Sequence, residues 1–175
     1  GFFVGDVAVP IVPTAILFDM LNGGDKDWGE DSPYWDLGRA AIASASEVFD
    51  LGNAGAGLGA VAGNLKGGLG SASLILDSGF QVGAVVAVNS VGSAVIPGTD
   101  TFWAWSTEID GEFGGKAPPS TPPDLSVTGA KALPWIAGNT TIGVVATNAA
   151  LDGGQCKRIA IMAQDGIARA VRPAH

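Results

Sequence analysis

The stretch Asn139-Thr140-Thr141-Ile142-Gly143-Val144-Val145-Ala146-Thr147-Asn148 decides how the rest of the chain is read. Most of it is β-branched. Such side chains have little χ1 freedom to lose and pack well on a pleated surface, so the run predicts a strand beginning at Thr140. Residues 112–134 come before it and hold five of the ten prolines: Pro118, Pro119, Pro122, Pro123 and Pro134. They read as an extended surface linker. A strand whose first residue is Thr, entered from such a linker, has the layout of an N-terminal nucleophile. In that chemistry Thr140 Oγ attacks the carbonyl of Asn139, an ester replaces the amide, and water releases it. The freed α-amine of Thr140, with an unperturbed pKa near ~8, then serves as general base for its own hydroxyl. The same local pattern also fits a turn followed by an ordinary β-branched strand.

Outward from this strand, a helix is expected from about Gly153 to Ala170, with Cys156, Ile159, Ala160, Met162, Ala163 and Ile167 mostly inward. Upstream, Phe80 to Val88 reads as a strand buried on both faces, because QVGAVVAVN is apolar throughout. Ser71 to Leu76 reads as a strand before it. The segment between Gly52 and Gly70 is rich in glycine, which predicts tight backbone packing or a site built from backbone. A helix is expected from Pro33 to Phe49, with Ser32 as N-cap, Gly52 ending it, and Tyr34, Leu37, Ala41, Ala45 and Val48 on one stripe. Residues 7–18 read as an apolar strand or buried extended segment, kept from a central position by Pro10 and Pro13. Alternating strands and helices imply layered α/β or α+β packing.

The composition, 47% apolar and 15% charged in 175 residues, is that of one globular domain. A net charge of −8 with scattered basic residues argues against a nucleic-acid partner. No apolar run is long enough to span a bilayer, and the first residues have no signal-peptide pattern. The lone Cys156 suits a reducing compartment, so a cytoplasmic location is expected. The chain begins at Gly1 and ends at His175, and it is read as a fragment of a longer precursor. No metal or cofactor is expected. The acidic run Asp25, Asp27, Glu30, Asp31 lacks Ca²⁺-loop spacing and reads as a solvated loop. The GAGLGA string lacks the βαβ context of a dinucleotide loop. His175, the single histidine, reads as structural, and Trp103, Trp105 and Trp135 as packing or groove-lining residues.

Four segments resemble one family, in family order and over most of the chain. NTTIGVVATNAAL (139–151) resembles the start of the small subunit in self-processing amidohydrolases. That family includes the L-aminopeptidase/D-alanine esterases, the β-peptidyl aminopeptidases and the nylon-oligomer endohydrolase. VAVPIVPTAILFD (7–19) resembles its early strand, GAGLGAVAGNLKGGLGSAS (55–73) its Gly-rich centre, and AQDGIARAVRPAH (163–175) the helix after the nucleophile strand. The resemblance implies a layered α/β/β/α sandwich with a central nucleophile strand. It implies autocleavage between Asn139 and Thr140, residues 1–139 belonging to the large subunit and 140–175 opening the small one. A homo-oligomer, tetrameric in the family, is implied too.

By the same resemblance Thr140 is the nucleophile, and Thr rather than Ser brings the chain closer to the nylon-oligomer hydrolase. Asn89 matches the Asn that polarises the scissile carbonyl; on local grounds it fits a strand-end turn equally. Lys66 matches a lysine whose charge would lower the α-amine pKa; it also fits a solvated loop lysine. Phe18 falls where related enzymes carry Tyr, so a hydroxyl is missing there and the ring is left to shape the substrate pocket. Related enzymes also place two acidic or hydroxyl residues just after the RPAH-like segment, where this sequence ends. The implied activity is hydrolysis of linear amides, with 6-aminohexanoate oligomers as first substrate. The alternatives are an aminopeptidase for β- or D-amino acids and a non-catalytic binding protein on the same fold.

Overall fold

The computed structural model describes residues 2–123, 131 and 138–174. Two short strands open the chain, β1 (Phe2–Val4) and β2 (Val7–Val9), paired antiparallel about Gly5. Helix α1 spans Tyr34–Ala43. The two-residue strands β3 (Val61–Ala62) and β4 (Leu65–Lys66) form a small hairpin. The main sheet has three antiparallel strands in the order β5 (Gly68–Ile75), β6 (Gln81–Asn89) and β7 (Thr140–Thr147). Helix α2 (Gly153–Ala170) follows β7. The architecture is a mixed α/β one with small antiparallel sheets. Among the described residues β6, not β7, is the middle strand.

The strand or buried extended segment expected at 7–18 shrinks to the strand Val7–Val9, and Ile11, Val12 and Ile16 beyond it are exposed. Pro10 and Pro13 have no N–H to give a ladder, and the chain runs on without strand pairing. The first helix also ends early. Ser44 Oγ donates to the carbonyl of Ala40 at 2.8 Å, a local bond that competes with helix continuation. Ala45 and Val48 therefore lie outside α1, and Ser32 is not its cap, since Pro33 holds that position with no side-chain bond. Gly52 is not a helix stop. Its N–H and C=O pair with Leu69 on β5 at 2.7 and 2.8 Å.

The second helix has its expected bounds. Asp152 accepts from the Gln155 N–H at 2.8 Å, and Gln155 returns a bond to the Asp152 N–H at 2.9 Å, a capping box that fixes the start. Cys156, Ile159, Ala160, Ala163 and Ile167 line a cavity of about 810 Å³ between α2 and the sheet. None of them is buried: Ile159 and Ile167 are half-buried, Cys156, Ala160 and Ala163 are exposed, and so is Met162, which does not line the cavity. At 100° per residue it sits roughly 120° round from that stripe.

Strand β6 is not buried on both faces along its length. Gln81 and Val82 are exposed, and burial rises toward Ala87 and Asn89. The covering segments gather at that end. Gly67 N–H donates to Ala60, Gly63 N–H donates to Ser90, and Ser93 forms a two-way bridge with Arg172 after α2. The Arg172 guanidinium stacks 4.6 Å from the centre of the Trp103 ring. The close packing here needs small residues. A Cβ on Gly57 would overlap Gly52 O and Leu69 N, and one on Gly67 would overlap Val88 O. The buried apolar residues among those described are Ala60, Ala62, Ala87, Ile96 and Val171.

Candidate active site

The register of the main sheet makes the site. Asn89, the last residue of β6, pairs with Thr140, the first of β7. Directly opposed residues of an antiparallel ladder lie about 5 Å apart at Cα and project from the same face. Asn89 and Thr140 are thereby brought together, although 51 positions separate them in sequence. Thr141, one residue on, pairs with Val88 and projects from the opposite face, where its Oγ1 is buried without a hydrogen-bond partner among the described residues.

Asn89 has no solvent exposure, and its side-chain amide is saturated. Nδ2 donates to the Phe18 carbonyl at 2.7 Å and to the Gly138 carbonyl at 3.3 Å. Oδ1 accepts from the Val61 N–H at 3.0 Å, from Lys131 Nζ at 3.0 Å, and from Asn22 Nδ2 at the 3.5 Å limit. These bonds fix the orientation of the amide, since a flip would set its NH2 against the Val61 and Lys131 donors. The donor end is left facing the chain just before the Asn139–Thr140 bond. A strand-end turn residue would not require this burial or this set of partners.

The expected site residues are placed as follows. Thr140, Asn139 and Asn89 come together at the end of the sheet. Phe18 joins the cluster through its main-chain carbonyl. Lys66 lies on the hairpin opposite Val61, and its Nζ donates at 2.6 Å to the carbonyl of Leu58, with no bond to Asn89 or Thr140. His175 and Trp135 lie outside the described residues.

Sequence reading missed Lys131. Its Nζ donates to three acceptors: Asn89 O at 3.1 Å, Asn89 Oδ1 at 3.0 Å and Gly138 O at 3.0 Å. Its own N–H donates to Val91 O at 2.9 Å. Burial holds the ammonium below the ordinary lysine range. A signal was present, because Lys131 is the only charged residue between Asp124 and Asp152. A lone cation in so apolar a run calls for acceptors. Asn22, which also donates to Gly59 O at 2.8 Å, was missed as well.

The stretch 112–134 was expected to be an extended surface linker. Its described beginning is tied down instead. Glu108 Oε1 accepts from the Phe113 and Gly115 N–H groups at 2.7 and 2.8 Å, and Ala117 O accepts from Thr101 Oγ1 at 3.1 Å. An exposed ion pair joins Lys116 and Asp100 at 2.6 Å. Residues 124–130 and 132–137 lie outside the described residues.

The buried Asn89 amide thus faces the chain just before the strand-opening Thr140. The model of peptidase family S58 matches residues 4–175, and the chain belongs to this family. It is 45% identical over 180 residues to an uncharacterized aminopeptidase of Mycobacterium bovis and to one of Mycobacterium tuberculosis, covering all of this chain and 50% of each relative. A Mycobacterium leprae aminopeptidase, also uncharacterized, is 45% identical over 172 residues, covering 95% of this chain and 46% of its own. The chain spans about half the length of the curated relatives it matches. Among the described residues no helix is long and apolar enough to cross a membrane.

Proposed function

We propose that this chain carries the nucleophile and one oxyanion donor of an amide hydrolase that activates itself by cutting the Asn139–Thr140 bond. The observation that carries the reading is the Asn89–Thr140 register, with the Asn89 amide donating toward the residue before Asn139. Thr140 Oγ attacks the Asn139 carbonyl carbon and its proton passes to the leaving nitrogen, so an ester to Thr140 forms as the amide breaks. Water then hydrolyses the ester, leaving a carboxylate on Asn139 and a free amine on Thr140. That amine takes the Oγ proton when the same hydroxyl attacks a substrate amide. A small shift of the chain would bring the Asn139 carbonyl to the Asn89 NH2, and one such donor typically contributes about 3 kcal/mol to the transition state.

In this reading Phe18 fixes Asn89 through its carbonyl and shapes the substrate pocket. Lys66 would have to leave Leu58 O and turn toward Thr140 to lower the α-amine pKa. The fuller fold of the proposal is an α/β/β/α sandwich with β7 in its centre. Assembly into a homo-oligomer belongs to the proposal through the family resemblance.

The proposed substrates are linear amides, with 6-aminohexanoate oligomers first on the resemblance around Thr140. Stepwise removal of N-terminal residues from small peptides is the second reading, favoured by the names of the mycobacterial relatives. Internal cuts in a long oligoamide support the first, and release of single residues the second. The deciding experiment for the class is the intact mass of the purified full-length protein. Two fragments meeting at Asn139 and Thr140 are expected, whereas one uncut chain refutes self-cleavage.

A further inference from the structure

We infer that Lys131 is a positioning residue for self-cleavage, clamping the Asn89 amide and the Gly138 carbonyl in the arrangement that aims the Asn89 NH2 at the Asn139–Thr140 junction. The inference rests on the proposed function above and adds to it a residue outside the matching motifs. An ammonium has three donors, and here each has an acceptor: two on Asn89 and one on Gly138. The two acceptors on Asn89 fix both the main chain at the end of β6 and the orientation of its amide. The third fixes the chain one residue before the cut. One side chain therefore ties the oxyanion donor to Gly138, which lies beyond the last ladder pair, Asn89 with Thr140.

Placement in the sequence points the same way. The segment from Leu125 to Leu151 is uncharged except for Lys131, so solubility alone does not call for a cation there. Drawing an ammonium partly out of water costs free energy, as its lowered pKa records. A purely structural clamp could be built from a neutral donor. A positive charge also favours negative charge developing on a nearby carbonyl oxygen, so the same placement assists the transition state. Lys131 precedes the cut and remains on the N-terminal product, where it faces the new Asn139 carboxylate.

The test follows cleavage of the full-length protein in cell-free synthesis, chased in time by intact mass. Lys131→Met keeps the aliphatic stem without the charge, Lys131→Gln keeps a donor without the charge, and Lys131→Arg keeps both. Lys131→Met should slow appearance of the Thr140 fragment by about 10²-fold, as small misplacements of reacting groups do. Lys131→Gln should be intermediate, and Lys131→Arg should recover to within roughly tenfold of wild type, with thermal midpoints of all three within a few degrees of one another. Should Lys131→Met fail to fold, the ordering of Gln and Arg decides. Wild-type cleavage rates in Met or Gln would overturn the inference while leaving the proposed function standing. Equal slowing in all three variants, matched by equal loss of thermal midpoint, would reduce Lys131 to a packing residue. An uncut wild-type protein would remove both readings.

Discussion

Replacing Asn89 separates the chemistry of the site from its packing. Asn89→Ala removes an amide that satisfies the Phe18 carbonyl and the Val61 N–H inside the protein. A buried polar group stripped of its partner costs about 1–3 kcal/mol, and water entering the vacated space recovers part of it, so a net loss of about 2–4 kcal/mol is expected for the two. For a chain of this size that is a fall of about 5–15 °C in thermal midpoint. Asn89→Asp is the sharper variant. It is isosteric and leaves no cavity, and it keeps an oxygen for Val61 and Lys131. It replaces the NH2 with an oxygen facing two carbonyls, Phe18 and Gly138. Both variants lose the oxyanion donor and should cut about 10²- to 10³-fold more slowly. Stability is measured by calorimetry in the uncut Thr140→Ala background, and cutting by intact mass over time. If Asn89→Asp folds and cuts at the wild-type rate, the amide is not the oxyanion donor and the reasoning fails. An unchanged kcat with a raised KM in the mature enzyme would instead assign Asn89 to substrate binding.

Three further outcomes follow from the same geometry. Thr140→Ala should give a single uncut chain without hydrolase activity, and Thr140→Ser should keep both steps; Thr141→Val, altering a hydroxyl on the opposite face, should still be cut, all read on a denaturing gel. Gly67→Ala should destabilise the fold by about 1–3 kcal/mol and slow cutting, because the new methyl meets the Val88 carbonyl and displaces Asn89; urea unfolding and the cleavage assay check it. Asp152→Ala should cost about 0.5–2 kcal/mol in urea unfolding by removing the cap of α2, with cleavage unaffected, since the cap lies at the far end of β7.

The elements legible in the sequence are those whose signals are local. The β-branched run from Thr140 and the apolar run ending at Asn89 gave strands close to their observed bounds, and α2 was found by its period. The reading went wrong where a single side chain or a proline overruled the pattern. Ser44 turned its hydroxyl back on Ala40 and ended α1 while the apolar stripe ran on to Val48. The hairpin of Val61–Ala62 and Leu65–Lys66 went unseen because two-residue strands have no period to detect.

The site divides along the same line. Thr140 was marked by its place at the head of a strand after the linker and by resemblance, Asn89 by resemblance, and what unites them is a register, set by pairing along β6 and β7. Lys131 was out of reach of both period and motif, since its acceptors lie 42 and 7 positions away and are carbonyl and amide oxygens with no sequence signature. Only the isolation of its charge marked it. The glycines were half-read. They were expected to permit close packing or to build a site, and close packing is what they permit. Gly57 and Gly67 let the backbone of the Gly-rich segment close over the end of β6, and that closure sets the Val61 N–H on Asn89 Oδ1. The Asn89 amide is thus oriented from one side by backbone that only glycine allows to come so near, and from the other by the Lys131 ammonium.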